Sequence, residues 1–134
     1  MYRPRHYDID DPATLATFMR EHGFVLLVTT VDGAPFATHL PLLFDPDSGT
    51  HGRLLGHVAK ANPHWRSFDG KTEALAVFWG PHAYISPNWY TSEKVVPTWN
   101  YVAVHLTGQL HPCPLAELEP LLAAQSAAYE GRLP

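Results

Sequence analysis

Two apolar runs joined by an aspartate–glycine pair set the frame of this chain. Phe24–Thr30 (FVLLVTT) reads as a buried strand, and a return strand runs from about Phe36 to Phe44. Asp32-Gly33 lies between them. That pair is a two-residue hairpin signal, because both central positions of such a turn need positive φ. Two strands joined this way are antiparallel neighbours. Pro41, inside the return strand, cannot donate a ladder hydrogen bond and marks an edge or a bulge.

The remaining elements follow the same grammar. Asp11-Pro12 opens a helix, with an aspartate cap and a proline at the first helical position. Leu15, Phe18, Met19 and His22 fall on one of its faces, and Gly23 is placed to end it in a left-handed conformation. Further strands are predicted over Arg53–Ala59, Glu73–Trp79, His82–Ser86 and Thr98–His111, with a short helix at about Pro63–Phe68. The last strand alternates: Val102, Val104, Leu106 and Leu110 point one way, and Trp99, Tyr101, His105, Thr107, Gln109 and His111 the other. A final helix is expected from Pro114, carrying Leu115, Leu118, Leu121 and Leu122. The pattern implies an α+β protein, mainly β: a small antiparallel barrel or sheet with flanking helices.

At 134 residues and 46% hydrophobic content, one domain with its own core is expected. Nine Lys and Arg against thirteen Asp and Glu give a net charge of −4. A freestanding nucleic-acid binder carries a basic excess, so direct DNA binding is disfavoured. One cysteine, Cys113, excludes an intrachain disulfide. No apolar run reaches the roughly 20 residues of a membrane span, and MYRPRHYDIDD lacks a signal-peptide core. A cytoplasmic protein is the expectation. The nine histidines include no pair two to four positions apart, so no local metal chelate is expected.

Two segments carry candidate binding chemistry. Lys60 sits between the third strand and the short helix, where free N–H groups and one cation would favour a phosphate. Asn62 also suits a plain helix cap, and Lys60 a solvated surface position. Thr38 and His39 offer a hydroxyl and an imidazole to the same anion. The second segment is the aromatic, proline-bearing loop between the fifth and sixth strands. Trp89 and Trp99 lie in or beside it, Pro97 sets the start of the sixth strand, and Asn100 offers donors and an acceptor to a polar heterocycle. Packing is the alternative role for these aromatics. A phosphate niche and a flat aromatic wall fit the parts of flavin mononucleotide, FMN.

Three stretches carry a family resemblance: LLGHVAKANPHW (Leu54–Trp65), ALAVFWGPHAYISPNWY (Ala74–Tyr90) and KVVPTWNYVAVHLTG (Lys94–Gly108). With MYRPRHYDIDDP and THLPLLFD, they resemble the PaiB-type family, the FMN-binding negative transcriptional regulators. The resemblance implies an antiparallel split β-barrel that forms a homodimer with FMN at the subunit interface. It implies that Thr38, His39, His57, Lys60 and Asn62 hold the phosphate. Trp89, Pro97, Thr98, Trp99, Asn100 and Tyr101 would flank the ring from the other subunit. Members of that family are longer by several tens of residues, so residues 1–134 would be a single split-barrel domain lacking their C-terminal part. The loop Trp89–Val95 is also short. The function expected is a flavin-binding regulator. Its alternatives are a flavin-dependent oxidoreductase of a small substrate and a cofactor-free truncated split barrel.

Overall fold

In the computed structural model, which describes residues 1–92 and 94–132, helix α1 (Pro12–Glu21) leads into five strands. These are β1 (Phe24–Val31), β2 (Ala34–Asp45), β3 (Arg53–Gly56), β4 (Glu73–Ile85) and β5 (Thr98–Gln109), and helix α2 (Leu118–Glu130) follows. The strands form one antiparallel sheet in the order β3-β2-β1-β4-β5. Strands β3 and β5 are its edges, and no ladder joins them among the described residues, so the barrel is split. No helix among those residues is long and apolar enough to cross a membrane.

The hairpin turn takes the backbone its residues allow, with φ of 51° at Asp32 and 79° at Gly33. From it, alternation sorts the side chains. Val25 and Leu27 from β1, Leu40 and Leu42 from β2, and Ala74, Ala76 and Phe78 from β4 face one way and close a core with Met19 of α1. Val104, Leu106 and Leu110 pack against it, and Phe78 is 0% exposed. Helix α1 starts where Asp11 accepts hydrogen bonds from the Thr14 hydroxyl at 2.6 Å and its N–H at 2.8 Å. Those two bonds hold the Asp11 carboxyl below the usual carboxylate range.

Several boundaries differ from expectation, including the last strand, which ends at Gln109 rather than His111. Strands expected as separate, Glu73–Trp79 and His82–Ser86, are one continuous β4. Trp79 faces Ala103 and His82 faces Tyr101, so Gly80 and Pro81 together oppose Val102 in a bulge that absorbs the proline. Opposite that bulge Val102 is 45% exposed and does not join the core. The third strand ends at Gly56, and the short helix is a 3-10 turn over Pro63–Ser67. The final helix begins at Leu118, after a 3-10 turn at Leu115–Glu117. Its expected leucine stripe is largely solvent-facing: Leu115 is 82% exposed, and the side chain that α2 buries is Gln125.

Gly23 is not left-handed. Its need is space. A Cβ there would meet the Tyr129 hydroxyl at 2.6 Å and the Leu42 carbonyl at 3.0 Å. Gly23→Ala is therefore expected to cost about 1–3 kcal/mol through overpacking. Tyr129→Phe in the same chain should recover part of it by removing the closer oxygen, as read by urea denaturation of both variants.

Candidate functional site

The most buried polar group is an imidazole that the sequence did not single out. His64 is 0% exposed. Its Nε2 lies 2.8 Å from Thr29 Oγ1 on β1, and its Nδ1 lies 2.8 Å from Thr38 Oγ1 on β2. Ser67 donates its hydroxyl hydrogen to the His64 carbonyl at 2.8 Å and sits 3.0 Å from Thr29 Oγ1. A carbonyl can only accept, so Ser67 has no hydrogen left for Thr29. Thr29 must therefore donate to Ser67 and accept from His64 Nε2–H. The neutral ring then carries its bare nitrogen at Nδ1, and the Thr38 hydroxyl donates to it. Phe36 and Phe68 lie beside the ring, with centroids 4.8 and 5.4 Å away. Desolvation holds His64 below the ordinary histidine value.

Asn62 completes this column. Its side-chain oxygen accepts from the His64 N–H at 3.0 Å, which is the capping role its position suggested. One amide hydrogen goes to Thr38 Oγ1 at 3.1 Å. The other has no acceptor among the described residues. Lys60, two residues earlier, is exposed, and among those residues its ammonium has no ion-pair partner. Its carbonyl accepts from Trp65 Nε1–H at 3.1 Å, which fixes the turn. The niche thus presents donors and positive charge, the chemistry that suits an anion.

The other expected anion contacts are distributed differently. Thr38 and His39 are neighbours on β2, so alternation sends them to opposite faces. Thr38 joins the buried column, whereas His39 faces outward and stacks on Phe24 with centroids 6.0 Å apart. His57 is tied to α2: its Nδ1 lies 2.7 Å from Gln125 Oε1, while Gln125 Nε2 donates to the Pro41 carbonyl at 2.9 Å. Since that carbonyl can only accept, His57 must be the donor to Gln125. Gln125 was invisible in sequence, because nothing local marks which polar residue of a helix will meet a free strand carbonyl.

The aromatic wall lies on the outer face of the sheet. Tyr84 pairs with Trp99 and His82 with Tyr101, so all four share one face with Trp79 beyond the bulge. The rings form a chain: Trp79 to His82 at 6.3 Å, His82 to Trp99 at 5.8 Å and Trp99 to Tyr84 at 5.9 Å. Trp99 and Tyr101 are each 58% exposed. Asn100, opposite Ala83, and Thr98, opposite Ile85, lie on the reverse face. His82–Tyr84 and Thr98–Val102 are exposed throughout, so this end of the β4–β5 hairpin is an arm with both sides uncovered. Trp89 and Pro97 flank it, both exposed. Glu93, in the short connecting loop, lies outside the described residues.

The family whose description reads "Putative FMN-binding domain" matches residues 1–134. The chain belongs to this FMN-binding family. It is 42% identical over 130 residues to the Bacillus subtilis protein "Protease synthase and sporulation protein PAI 2", covering 97% of this chain and 62% of that one. It is 31% identical over 131 residues to an uncharacterized Aspergillus fumigatus protein, covering 72% and 50%. This chain therefore spans half to three-fifths of the length of these relatives. A Mycobacterium smegmatis protein described as FAD- and heme-binding has the same fold, with a TM-score of 0.68 at 14% identity over 92% of this chain and 58% of that one. The FMN-binding family thus brings FMN as its cofactor, and its match includes both the donor niche and the aromatic wall.

Two outcomes test the buried column. Thr29 is 3% exposed, and Thr29→Val would strand His64 Nε2–H and remove the acceptor-ordering hydroxyl. A loss of about 1–3 kcal/mol in urea denaturation is expected. The pH dependence has a defined sign. Folding favours neutral His64, while the unfolded chain takes up a proton near pH 6.5. The unfolded state therefore binds more protons as the pH falls below that value, and stability declines. Thermal unfolding at about pH 7 and pH 5 should show a smaller drop for His64→Gln than for the parent.

Proposed function

We propose that this chain binds FMN as a homodimer, with the phosphate at the Lys60–Asn62 niche and the isoalloxazine ring beside the aromatic face of the partner's β4–β5 arm. The observation that carries this reading is the pairing of two unsatisfied surfaces. Among the described residues the niche has donors without acceptors, and the aromatic row is left largely exposed. A bound flavin has one anionic tail and one planar ring, which match those two needs. A two-stranded arm exposed on both faces is marginal in water, and a second copy laid against it would bury the Trp79–Tyr101 row. Among the expected ligands, Thr38, Lys60 and Asn62 are supported by this niche, while His39 and His57 face other partners.

When bound, FMN supplies hydride and one-electron chemistry. The chain's part is to hold the phosphate through Lys60 and Asn62, to seat the ring on Trp99 and Tyr101, and to exclude water between protomers. The role we infer is negative transcriptional regulation, supported by the likeness to the PaiB type. The charge of −4 supports an indirect route through a partner or metabolite rather than direct contact with DNA. A second reading rests on His82, Tyr84 and Tyr101, which bring titratable groups to the same aromatic face. That face would suit a flavin-dependent oxidoreductase of a small substrate.

Freshly purified protein should absorb in the visible flavin band or quench FMN fluorescence on titration. Lys60→Ala should weaken FMN binding by about 1.5–3 kcal/mol, a factor of roughly 10–150. Unchanged affinity removes Lys60 from the site. Sedimentation should show a dimer that Trp99→Asp converts to monomer. Bleaching of bound FMN by NADH or NADPH without air would select the oxidoreductase reading. A low-salt gel shift would reveal direct DNA contacts if they exist.

A further inference from the structure

The column beneath the niche contains a hydroxyl whose hydrogen can point either way. With His64 neutral, Thr38 donates inward to Nδ1 and accepts from Asn62. If His64 takes a proton, Nδ1–H becomes a donor and Thr38 Oγ1 must accept from it at the same 2.8 Å. Thr38 then accepts twice, and its own hydrogen has to leave the column. Asn62 links Thr38 to the Lys60 turn, since its amide donates to Thr38 Oγ1 and it lies two residues after Lys60. We propose that His64 and Thr38 form a proton-linked switch of the anion niche, in which protonation of His64 turns the Thr38 hydroxyl outward as a further donor to the anion. This rests on reading the Lys60–Asn62 niche as the anion site.

The surroundings give the switch its direction. The groups facing His64 are Thr29 from β1, Phe36 and Thr38 from β2, and Asn62, Ser67 and Phe68 from its own segment. All are uncharged. The charged residues nearest in sequence, Lys60 and Arg66, are both exposed and both positive, and Arg66 lies over the Trp65 ring. Among the described residues no carboxylate is paired with the ring, and burial keeps it neutral in the free protein. An anion seated at Thr38 and Asn62 would supply the missing charge. By reciprocity, the anion raises the proton affinity of His64 by the factor by which the proton raises anion affinity. His64 is thus a positioning residue: it acts on the ligand through the direction of the Thr38 hydrogen.

Long-range proton–nitrogen spectra of labelled protein test this, with sulfate as the probe because it stays doubly charged throughout the range. The phosphate of FMN itself titrates near pH 6 and would confuse the linkage. Without sulfate, the His64 ring should be the Nε2–H tautomer. Saturating sulfate should raise its titration midpoint by about one unit, equal to roughly tenfold tighter binding to the protonated form. Thr38→Ser should keep that rise and Thr38→Val should abolish it. A neutral Nδ1–H tautomer overturns the switch. So does a midpoint that sulfate leaves in place, or sulfate that never saturates the Asn62 amide signals. If FMN binds while sulfate does not move His64, the switch falls and the flavin reading stands. If sulfate moves His64 while FMN does not bind, the flavin reading falls and the switch stands.

Discussion

One buried imidazole ties the irregular segment after β3 to the first two strands of the sheet. The segment after β3 is short and irregular, and a 3-10 turn alone supplies little stability. His64 anchors it by reaching Thr29 on one strand and Thr38 on the next through opposite ring nitrogens. Each polar atom in the column has a defined donor or acceptor role, and no buried side-chain nitrogen or oxygen among the described residues lacks a partner. A satisfied buried network rigidifies what it touches, because any alternative arrangement strands a polar group in a dry interior. The position of Asn62, and of the Lys60 turn ahead of it, follows from that network.

The sheet has an inside and an outside of different kinds. Inside, small and branched residues around Phe78 make a closed apolar core with α1. Outside, the β4–β5 arm carries rings that are about half exposed among the described residues. The bulge at Gly80-Pro81 separates the two regimes. It lets Phe18 of α1 pack where a Cβ on Gly80 would stand 2.7 Å from its ring, and it is where the paired strands leave the core. One interruption in the ladder thus sets both the limit of the core and the start of the exposed arm.

Membership of the FMN-binding family and the geometry bear on function through different routes. The family names the cofactor. The geometry adds a turn that presents donors and a broad, exposed aromatic face. The donor niche is small, local and built on one turn. The aromatic surface is broad and apolar, and it favours rings or a second protein surface over phosphate.

The sequence alone determined what depends on near neighbours. The Asp32-Gly33 turn, the Asp11 and Asn62 caps and the strand alternation are local preferences, and they are where the chain implied them. Gly80-Pro81 lies between two segments expected as separate strands. Only pairing with β5 decided for the bulge. Tertiary structure alone decided that Thr38 belongs to the interior and His39 to the surface, since alternation fixes their opposition but not which side meets His64. It also decided that Gln125 rather than a leucine anchors α2, and that Gly23 serves close approach rather than a left-handed cap. In each case the cause is a partner tens of residues away, whose position no local preference encodes.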